Sequence, residues 1–147
     1  MEQSVITPEV QAALTTLCKL IPLRKEQSQE LDINLARTNL RKAQLYPTAD
    51  LSKVFLNEAV LEEAYLNEVN LSEAKLYKVI LDKANLAGAK LVQADLTQTS
   101  FAQTDIYKAD LRTASGIRPE QIKAASSWED ATYDQRMQAR LNLPKKN

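Results

Sequence analysis

A large apolar residue recurs at every fifth position through the middle of the chain. The stretch from Asn57 to Leu76 reads NEAVLEEAYLNEVNLSEAKL, with leucine at 61, 66, 71 and 76 and alanine or valine two residues before each. In an α-helix, residues five apart lie about 140° apart around the axis and form no apolar face. In a strand, an odd spacing sends successive leucines to opposite faces. The pattern therefore excludes both a plain helix and a plain strand.

The repeat of five continues far beyond that stretch and predicts a solenoid. Each large residue follows a small Ala, Val or Thr by two positions, so two residues per repeat can share a narrow interior while three point to solvent. A unit this short cannot bury its apolar side chains alone and needs stacked neighbours. Upstream, Leu35, Leu40 and Leu45 keep the spacing, with one extra residue before Leu51. The large residues then run Leu51, Leu56, Leu61, Leu66, Leu71, Leu76, Leu81, Leu86, Leu91, Leu96, Phe101, Ile106 and Leu111.

Charges indicate how many repeats complete one turn of this solenoid. Residues stacked in successive coils should carry opposite charges, as neighbours across a sheet do. At a separation of twenty, five pairs are opposite and one, Glu62 with Asp82, is alike, whereas separations of fifteen and twenty-five give no such excess. The sequence thus predicts four repeats per turn. The opposite pairs are Lys53–Glu73, Glu58–Lys78, Glu63–Lys83, Lys75–Asp95 and Lys90–Asp110.

The extra residue lies near Tyr46, Pro47 and Thr48, and it gives a second test of the coil. Stacked positions before it should be twenty-one residues apart, and the charges at that separation are again complementary. We interpret the insertion as a local bulge in a continuous coil, where Pro47 is tolerated because it donates no ladder hydrogen bond. The complementary pairs are Arg37–Glu58, Arg41–Glu62 and Lys42–Glu63.

With these repeats the chain resembles the pentapeptide-repeat proteins, whose consensus is A-[D/N]-L-X-X. The resemblance covers residues 31–115 and implies an all-β solenoid, a right-handed quadrilateral β-helix with the large and small residues inside. Short α-helical caps at both ends, of the kind that close cyanobacterial members of the family, complete the expected fold. The consensus stands at Ala49-Asp50-Leu51, Ala84-Asn85-Leu86, Ala94-Asp95-Leu96 and Ala109-Asp110-Leu111.

The sequence before the repeats predicts an N-terminal helical cap and connection over residues 1–30. Thr7, Pro8 and Glu9 read as an N-cap, a first helical proline and an early acid, so a helix is expected over residues 8–20, ending before Pro22. A polar connection, residues 23–30, then leads into the repeats. The expected apolar stripe of this helix is Val10, Ala13, Leu14, Leu17 and Ile21.

The sequence after the repeats predicts a C-terminal helical cap over residues 116–147. Gly116 is expected to end the repeats, and Pro119 to open a short helix with the sequence PEQIKAA. Trp128 should lie over the final coil. A second helix begun near Asp134 is expected to carry Tyr133, Met137 and Leu141.

Composition excludes several classes of function. Nineteen Lys and Arg balance nineteen Asp and Glu, so no net charge attracts nucleic acid or an anionic membrane. Histidine is absent, and Cys18 has no candidate base, so we expect a core thiol and no enzyme, cofactor or metal site. The start of the sequence lacks the features of a signal peptide, and no stretch is long and apolar enough for a membrane span, so a cytoplasmic protein is expected. The acidic residues of the central repeats point to different sides and form a solvated belt: Glu58, Glu62, Glu63, Glu68 and Glu73.

The outward position just before each large residue provides the candidate site. The family consensus has Asp or Asn there, whereas this chain has Phe55, Val60, Tyr65 and Ile80. Val60 and Ile80 are twenty residues apart and should stack. These residues predict a patch for an unknown protein partner, and hence a non-enzymatic interaction or scaffold module of open oligomeric state. The alternative is that single exposed apolar residues are ordinary and that β-branched side chains stabilise the ladder.

A second function follows from the family resemblance alone. Some relatives look like duplex DNA and modulate DNA gyrase, which requires a sustained negative surface. In this chain basic residues stand beside the acidic belt, so the sequence favours the interaction module over the DNA mimic. The neutralising residues are Arg37, Arg41, Lys42, Lys78 and Lys83.

Overall fold

The computed structural model of the chain describes residues 6–25, 33–45 and 47–144, and gives side chains for residues 6–18, 33–45 and 47–144. Residues 26–30 of the predicted connection, and Tyr46 of the predicted bulge, lie outside this description. The described helices are α1 (Pro8–Lys25), α2 (Pro119–Lys123) and α3 (Gln135–Leu141), with a 3-10 turn at Trp128–Asp130. Between α1 and α2 the chain winds into a coil.

Parallel β-bridges between residues twenty apart form the wall of this coil. They fall into four columns, which we call sides A to D, so the predicted four repeats per turn are confirmed. Within the described residues each repeat contributes one bridge residue and no longer strand, because a turn occupies two of its five residues. The columns are residues 50, 70, 90 and 110 (A), 34, 55, 75, 95 and 115 (B), 39, 60, 80 and 100 (C), and 44, 65, 85 and 105 (D).

The inserted residue shifts the ladder by one position without breaking it. Bridges that begin before it join residues twenty-one apart, namely Asn34 with Phe55, Asn39 with Val60 and Gln44 with Tyr65. Those after it join residues twenty apart, such as Asp50 with Asn70. The predicted bulge in a continuous coil is therefore confirmed.

The large and small residues of each repeat fill the interior. Leu61 is 1% exposed and Leu81 0%, as the repeat predicts. Thr99 and Thr104 occupy the small position although they are polar, because each hydroxyl donates a hydrogen bond to an interior carbonyl. The acceptors are the carbonyl oxygens of Leu76 and Leu81, both at 2.7 Å. A buried hydroxyl costs free energy unless it is paired in this way.

Each repeat turns its corner through a left-handed residue. The small residue donates its N–H to the carbonyl of the preceding leucine, as Ala59 does to Leu56 at 2.9 Å. Glu58, the residue just before Ala59, has φ +60°. In the repeats almost all of these positions carry a side chain, mainly Lys, Glu or Gln, and only Gly88 does without one. The coil therefore accepts backbone strain at its corners, since positive φ is unfavourable for residues with a Cβ.

Helix α1 covers the first coils with part of the predicted stripe, since Leu14 and Leu17 pack against the core, while the side chain of Ile21 lies outside the described residues. Leu14 and Cys18 are buried, whereas Val10 is 43% exposed and Ala13 is also exposed. The Gln11 side chain ties the helix to side D, since its Oε1 accepts the N–H of Gln44 at 2.8 Å and its Nε2 donates to the Gln44 carbonyl. Helical spacing predicts that one face of α1 is apolar, but not which residues lie at the middle of the buried face. In the structure these are Leu14 and Cys18.

The end predicted for α1 at Pro22 is wrong. The helix continues through Pro22 to Lys25, so residues 23–25 are helical and not part of a polar connection. A proline inside a helix removes one hydrogen bond, but it does not oblige the chain to leave the helix there. The start is as predicted, because the Thr7 hydroxyl accepts the N–H of Val10 at 3.4 Å.

The ladder does not stop at Gly116. Ser126 bridges Asp105 on side D and Thr132 bridges Asp110 on side A, at separations of twenty-one and twenty-two. Helix α2 replaces the bridge on side C, where the Gln121 side chain donates to the carbonyl of Thr99 at 2.6 Å. The residues after the repeats thus form an irregular further coil, which the expectation of a purely helical cap missed.

Helix α3 and the turn before it close this end. Asp134 is the N-cap and accepts the N–H of Met137 at 2.8 Å, as predicted. Tyr133 precedes the helix rather than lying on it; it is 3% exposed and donates its hydroxyl to the carbonyl of Trp128 at 2.7 Å. Trp128 is half-buried against the core.

The two glycines predict different responses to substitution. Gly116 has φ +74°, and a Cβ there would come within 2.7 Å of the Thr97 Cα, a backbone atom that cannot move aside. Gly88 has φ +69°, but a Cβ would meet only the flexible Glu68 side chain, at 3.3 Å. We expect Gly116→Ala to lower the free energy of unfolding by more than about 2 kcal/mol. The control Gly88→Ala should cost at most about 1 kcal/mol, because the other corners already hold side chains.

Urea unfolding of the two variants, followed by far-UV circular dichroism, measures the difference. Equal losses would show that the close approach of Gly116 to Thr97 is not maintained in solution.

Candidate functional site

The outward position before each large residue normally caps the turn that follows. An Asp or Asn there accepts the N–H of the residue two positions on, as Asn85 does from Ala87 at 2.9 Å. Such a bond satisfies a backbone donor at the corner, which is the physical basis of the consensus Asp or Asn. The residues that make it are Asn34, Asn39, Asp50, Asn70, Asn85, Asp95, Asp105 and Asp110.

Two repeats without Asp or Asn at this position take their cap from the coil below. The N–H of Tyr77 donates to Asn57 at 3.2 Å, and the N–H of Ala102 donates to Asp82 at 3.1 Å. Both acceptors stand at turn positions, twenty residues before the donor. Charges at that separation do not reveal this exchange, because the donors are backbone N–H groups.

The four candidate residues occupy the capping position but cannot cap. Phe55 is 37% exposed, Tyr65 52% and Ile80 39%, while Val60 is half-buried. Their side chains offer no acceptor to the N–H two residues on, so each of these repeats lacks the capping hydrogen bond and exposes an apolar side chain instead. These residues depart from the pattern that the rest of the coil follows.

The structure brings only some of the candidates together. Val60 and Ile80 bridge each other on side C, as predicted. Tyr65 lies on the neighbouring side D, between Gln44 and Asn85 in the ladder. Phe55 lies on side B, between Asn34 and Lys75. Sides B and D are opposite walls of a four-sided coil, so Phe55 and Tyr65 flank side C from opposite directions and do not share one flat surface.

A network of charges occupies the corner between sides C and D. The Arg41 guanidinium contacts the carboxylates of Glu62 and Glu63, and its side chain is only 12% exposed. Lys42 lies 3.3 Å from Glu63. Arg37 lies 3.5 Å from Glu58 at another corner. The three pairs predicted across the insertion are therefore confirmed.

A groove runs beside this corner on side D. It has a volume of about 460 Å³ and is open to solvent. One wall consists of Lys42, Glu63 and Lys83, and Tyr65 lies between Gln44 and Asn85 on the other. An exposed aromatic side chain thus faces a row of alternating charges.

The environment of Glu63 lowers the pKa of its carboxyl. Partial desolvation by burial raises this pKa, but a hydrogen bond from Lys42 and attraction to Lys42, Arg41 and Lys83 together outweigh it. The ionised form is therefore favoured, and this residue holds the corner together by electrostatics.

The described residues contain little that could support catalysis. Burial raises the pKa of the Cys18 thiol, which disfavours the reactive thiolate. No group of His, Cys, Asp and Glu side chains in the described ranges is arranged to hold a metal ion. None of the helices described above has the length and apolarity needed to cross a membrane.

These features define a repeat solenoid with a four-sided wall and a leucine-filled interior. The family model for pentapeptide repeats matches residues 49–82 and 80–115, with 8 copies of the repeat. Residues 49–115 therefore belong to the pentapeptide-repeat family. Repeats of this family imply that the coil is right-handed, as the resemblance of the sequence indicated.

Solved structures of the same family also match. HetL, a pentapeptide-repeat protein from the cyanobacterium Nostoc involved in regulation of heterocyst differentiation, is 29% identical over 63% of this chain and 44% of its own, with a TM-score of 0.34. Rfr23 from the cyanobacterium Cyanothece is 28% identical over 73% of this chain and 64% of its own, with a TM-score of 0.29. The protein alr5209 from Nostoc is 24% identical over 82% and 98%, with a TM-score of 0.34.

The chain spans less than two thirds of HetL and of Rfr23. No curated protein matches it.

The capping bonds predict the cost of losing one. We expect Asn85→Ala to lower the free energy of unfolding by about 1 kcal/mol, because the N–H of Ala87 loses its acceptor. Asn85→Asp keeps the acceptor and should cost less. Lys75→Ala truncates a side chain at the same position of another repeat and is the control. The measurement is urea unfolding, and equal losses in all three variants would contradict the capping role.

The lowered pKa of Glu63 predicts how stability depends on pH. A carboxyl whose pKa is lower in the folded state stabilises the protein above its unfolded pKa, about 4.3, and this contribution is lost as pH falls through the folded value. Glu63→Gln should therefore be less stable than wild type at pH 7, and the difference should shrink as the pH falls from 7 to 3. Urea unfolding at both values tests this, with Glu120→Gln on α2 as the control. A difference that is undiminished at pH 3 would point to packing instead.

Proposed function

We propose that the chain is a non-enzymatic protein-interaction module that binds another folded protein through sides C and D. The proposed surface consists of Val60 and Ile80 on side C and Tyr65 on side D, and we call it the C–D surface. One observation carries the proposal: apolar residues replace the capping Asp or Asn on adjacent sides of neighbouring coils. The absence of histidine and the buried Cys18 support a non-enzymatic role.

The requirements of the fold do not account for all of these replacements. Val60 and Ile80 are paired across the ladder, and a β-branched pair in this arrangement stabilises the fold by about 0.2–1 kcal/mol. Tyr65 has no such compensation, because its ladder neighbours Gln44 and Asn85 are polar. The lost capping bond is worth about 1 kcal/mol. A binding role explains why this residue is kept at the capping position and half exposed.

The chemistry of the C–D surface suits a protein partner. An aromatic and two aliphatic side chains supply the apolar centre, and the groove beside Tyr65 offers a place for a protruding side chain of the partner. The neighbouring corner holds Arg41, Lys42, Glu62 and Glu63 in mutual contact, so it forms a charged rim of nearly balanced sign. We therefore expect a partner with a matching apolar surface rather than one attracted by net charge.

Phe55 is not part of this surface. It lies on side B, which faces away from side D, so a partner seated on the C–D surface need not contact it. A partner that wraps around three sides would contact all four apolar residues. Substitution of Phe55 therefore distinguishes the two modes of binding.

A DNA-mimic modulator of DNA gyrase is less well supported. Such a function requires an acidic face that remains negative, whereas the described carboxylates of Glu58, Glu62 and Glu63 lie against arginine or lysine. The cytoplasmic location expected from the sequence stays a prediction.

The test uses variants that restore the consensus. Val60→Asn with Ile80→Asn, and separately Tyr65→Asn, should fold because Asn caps the turns of four other repeats. We expect each to weaken binding of a partner captured by the wild-type protein by about tenfold or more. The measurement is isothermal titration calorimetry with that purified partner, and Phe55→Asn should have no effect.

The matched control is Lys75→Asn with Lys90→Asn, which makes the same change at the same position on sides A and B. Unfolding midpoints verify that all variants are folded. A partner whose affinity is unchanged by both C–D variants, or equally reduced by the control, would contradict the proposal.

A further inference from the structure

A second groove lies at the other end of the coil, between the last repeat and α3. It has a volume of about 380 Å³ and is open to solvent. Residues 113–117 form one wall, and Asp134, Arg136, Met137 and Arg140 form the other. It is separate from the C–D surface, which belongs to the coils around residues 60–85.

Two arginines, Arg136 and Arg140, line this groove. Arg136 and Arg140 are both exposed, and within the described part of the chain neither lies within ion-pairing distance of an acid. Other arginines differ: Arg41 contacts two glutamates, and Arg112 lies 2.7 Å from Asp110. The two free guanidinium groups lie one helical turn apart on α3, so they face the same region of the groove.

Helix stability does not explain this placement. Arg136 lies in the first turn of α3, where the positive end of the helix dipole disfavours a cation. Like charges four residues apart also destabilise a helix, by about 0.2–0.5 kcal/mol. Arg140 lies in the last turn, where the helix dipole favours a cation, but its repulsion of Arg136 remains. A bound anion would relieve both penalties.

The opposite wall of the groove adds further donors. The Ser115 hydroxyl lines this wall, whereas the Thr113 hydroxyl already donates to the carbonyl of Arg112 at 2.6 Å. Gly116, which must lack a side chain because of its contact with Thr97, leaves the backbone accessible. The N–H groups of Gly116 and Ile117 have no acceptor in the described part of the chain. Among the described residues, Asp134 is the one carboxylate that lines the groove, and one of its oxygens already accepts the N–H of Met137.

Both walls are fixed by the fold. Gly116 is held against Thr97, and Ser115 donates its N–H to the carbonyl of Ala94 at 2.9 Å. Helix α3 is anchored by its Asp134 cap and by Leu141, which is 2% exposed. The backbone is therefore fixed on both walls, and on binding only the exposed arginine side chains have to be ordered.

We infer that this groove binds a phosphate group, either as free phosphate or as a phosphate monoester on a partner. A phosphate dianion matches the charge of two guanidinium groups, and arginine donates paired hydrogen bonds to phosphate oxygens. Hydroxyl and backbone N–H donors on the facing wall complete the set of donors that a tetrahedral oxyanion needs. The inference is independent of the C–D surface.

The test is an NMR titration of the full chain with inorganic phosphate, at constant ionic strength maintained with sodium chloride. We expect saturable shifts at millimolar phosphate for the amides of residues 113–117 and for the side-chain Nε–H groups of Arg136 and Arg140. Arg136→Gln and Arg140→Gln should each weaken binding at least about tenfold, because each removes charge-assisted hydrogen bonds. Lys108→Gln, which removes one exposed positive charge from a corner of the coil, should leave the affinity unchanged.

A second arm identifies the source of the phosphate. A phosphoserine peptide and its unphosphorylated form are titrated in the same way. Tighter binding of the phosphopeptide than of inorganic phosphate, with the same dependence on both arginines, assigns the site to a phosphorylated partner, and equal binding assigns it to free phosphate. If neither ligand shifts these resonances, or if the arginine variants bind as wild type does, the inference is wrong.

Discussion

A narrow interior that admits one large and one small side chain per repeat governs the whole structure. It fixes the period of five, because two inward residues leave three to turn the corner and face solvent. It also forces a left-handed residue at nearly every corner, as at Glu58, since a tighter path is needed than ordinary turns allow. Stacking then offsets this strain through coil-to-coil hydrogen bonds and burial of leucine.

The position just outside the interior is where stability and function compete. Asn or Asp there closes the turn with a local hydrogen bond, so a chain selected only for stability would use these residues throughout. Val60, Tyr65 and Ile80 give up that bond on adjacent sides of two neighbouring coils. At the other end, Arg136 likewise stands where the helix dipole disfavours a cation. In both places residues that do not favour local stability coincide with a proposed binding surface.

Most of the coil could be predicted from the sequence, and the reasons for the failures are physical. Charges at separations of twenty and twenty-one report the ladder, because residues at these separations occupy equivalent positions in successive coils. The irregular coil through Ser126 and Thr132 was missed because it keeps the hydrogen bonds of the ladder but not the leucine spacing. The division of the candidate residues among sides B, C and D follows from four repeats per turn. The phosphate groove could not be predicted, since it joins residues 113–117 to a helix whose orientation no local pattern specifies.

The irregular coil also determines what the end of the rod presents to other molecules. Ser126 and Thr132 occupy the open edge that the last repeats would otherwise expose on sides D and A, and α2 covers side C. An uncovered edge of this kind is a template on which another copy could add its own coils without limit. Because residues 121–132 use donors and acceptors of this edge within one chain, they disfavour the addition of a second copy on sides A, C and D.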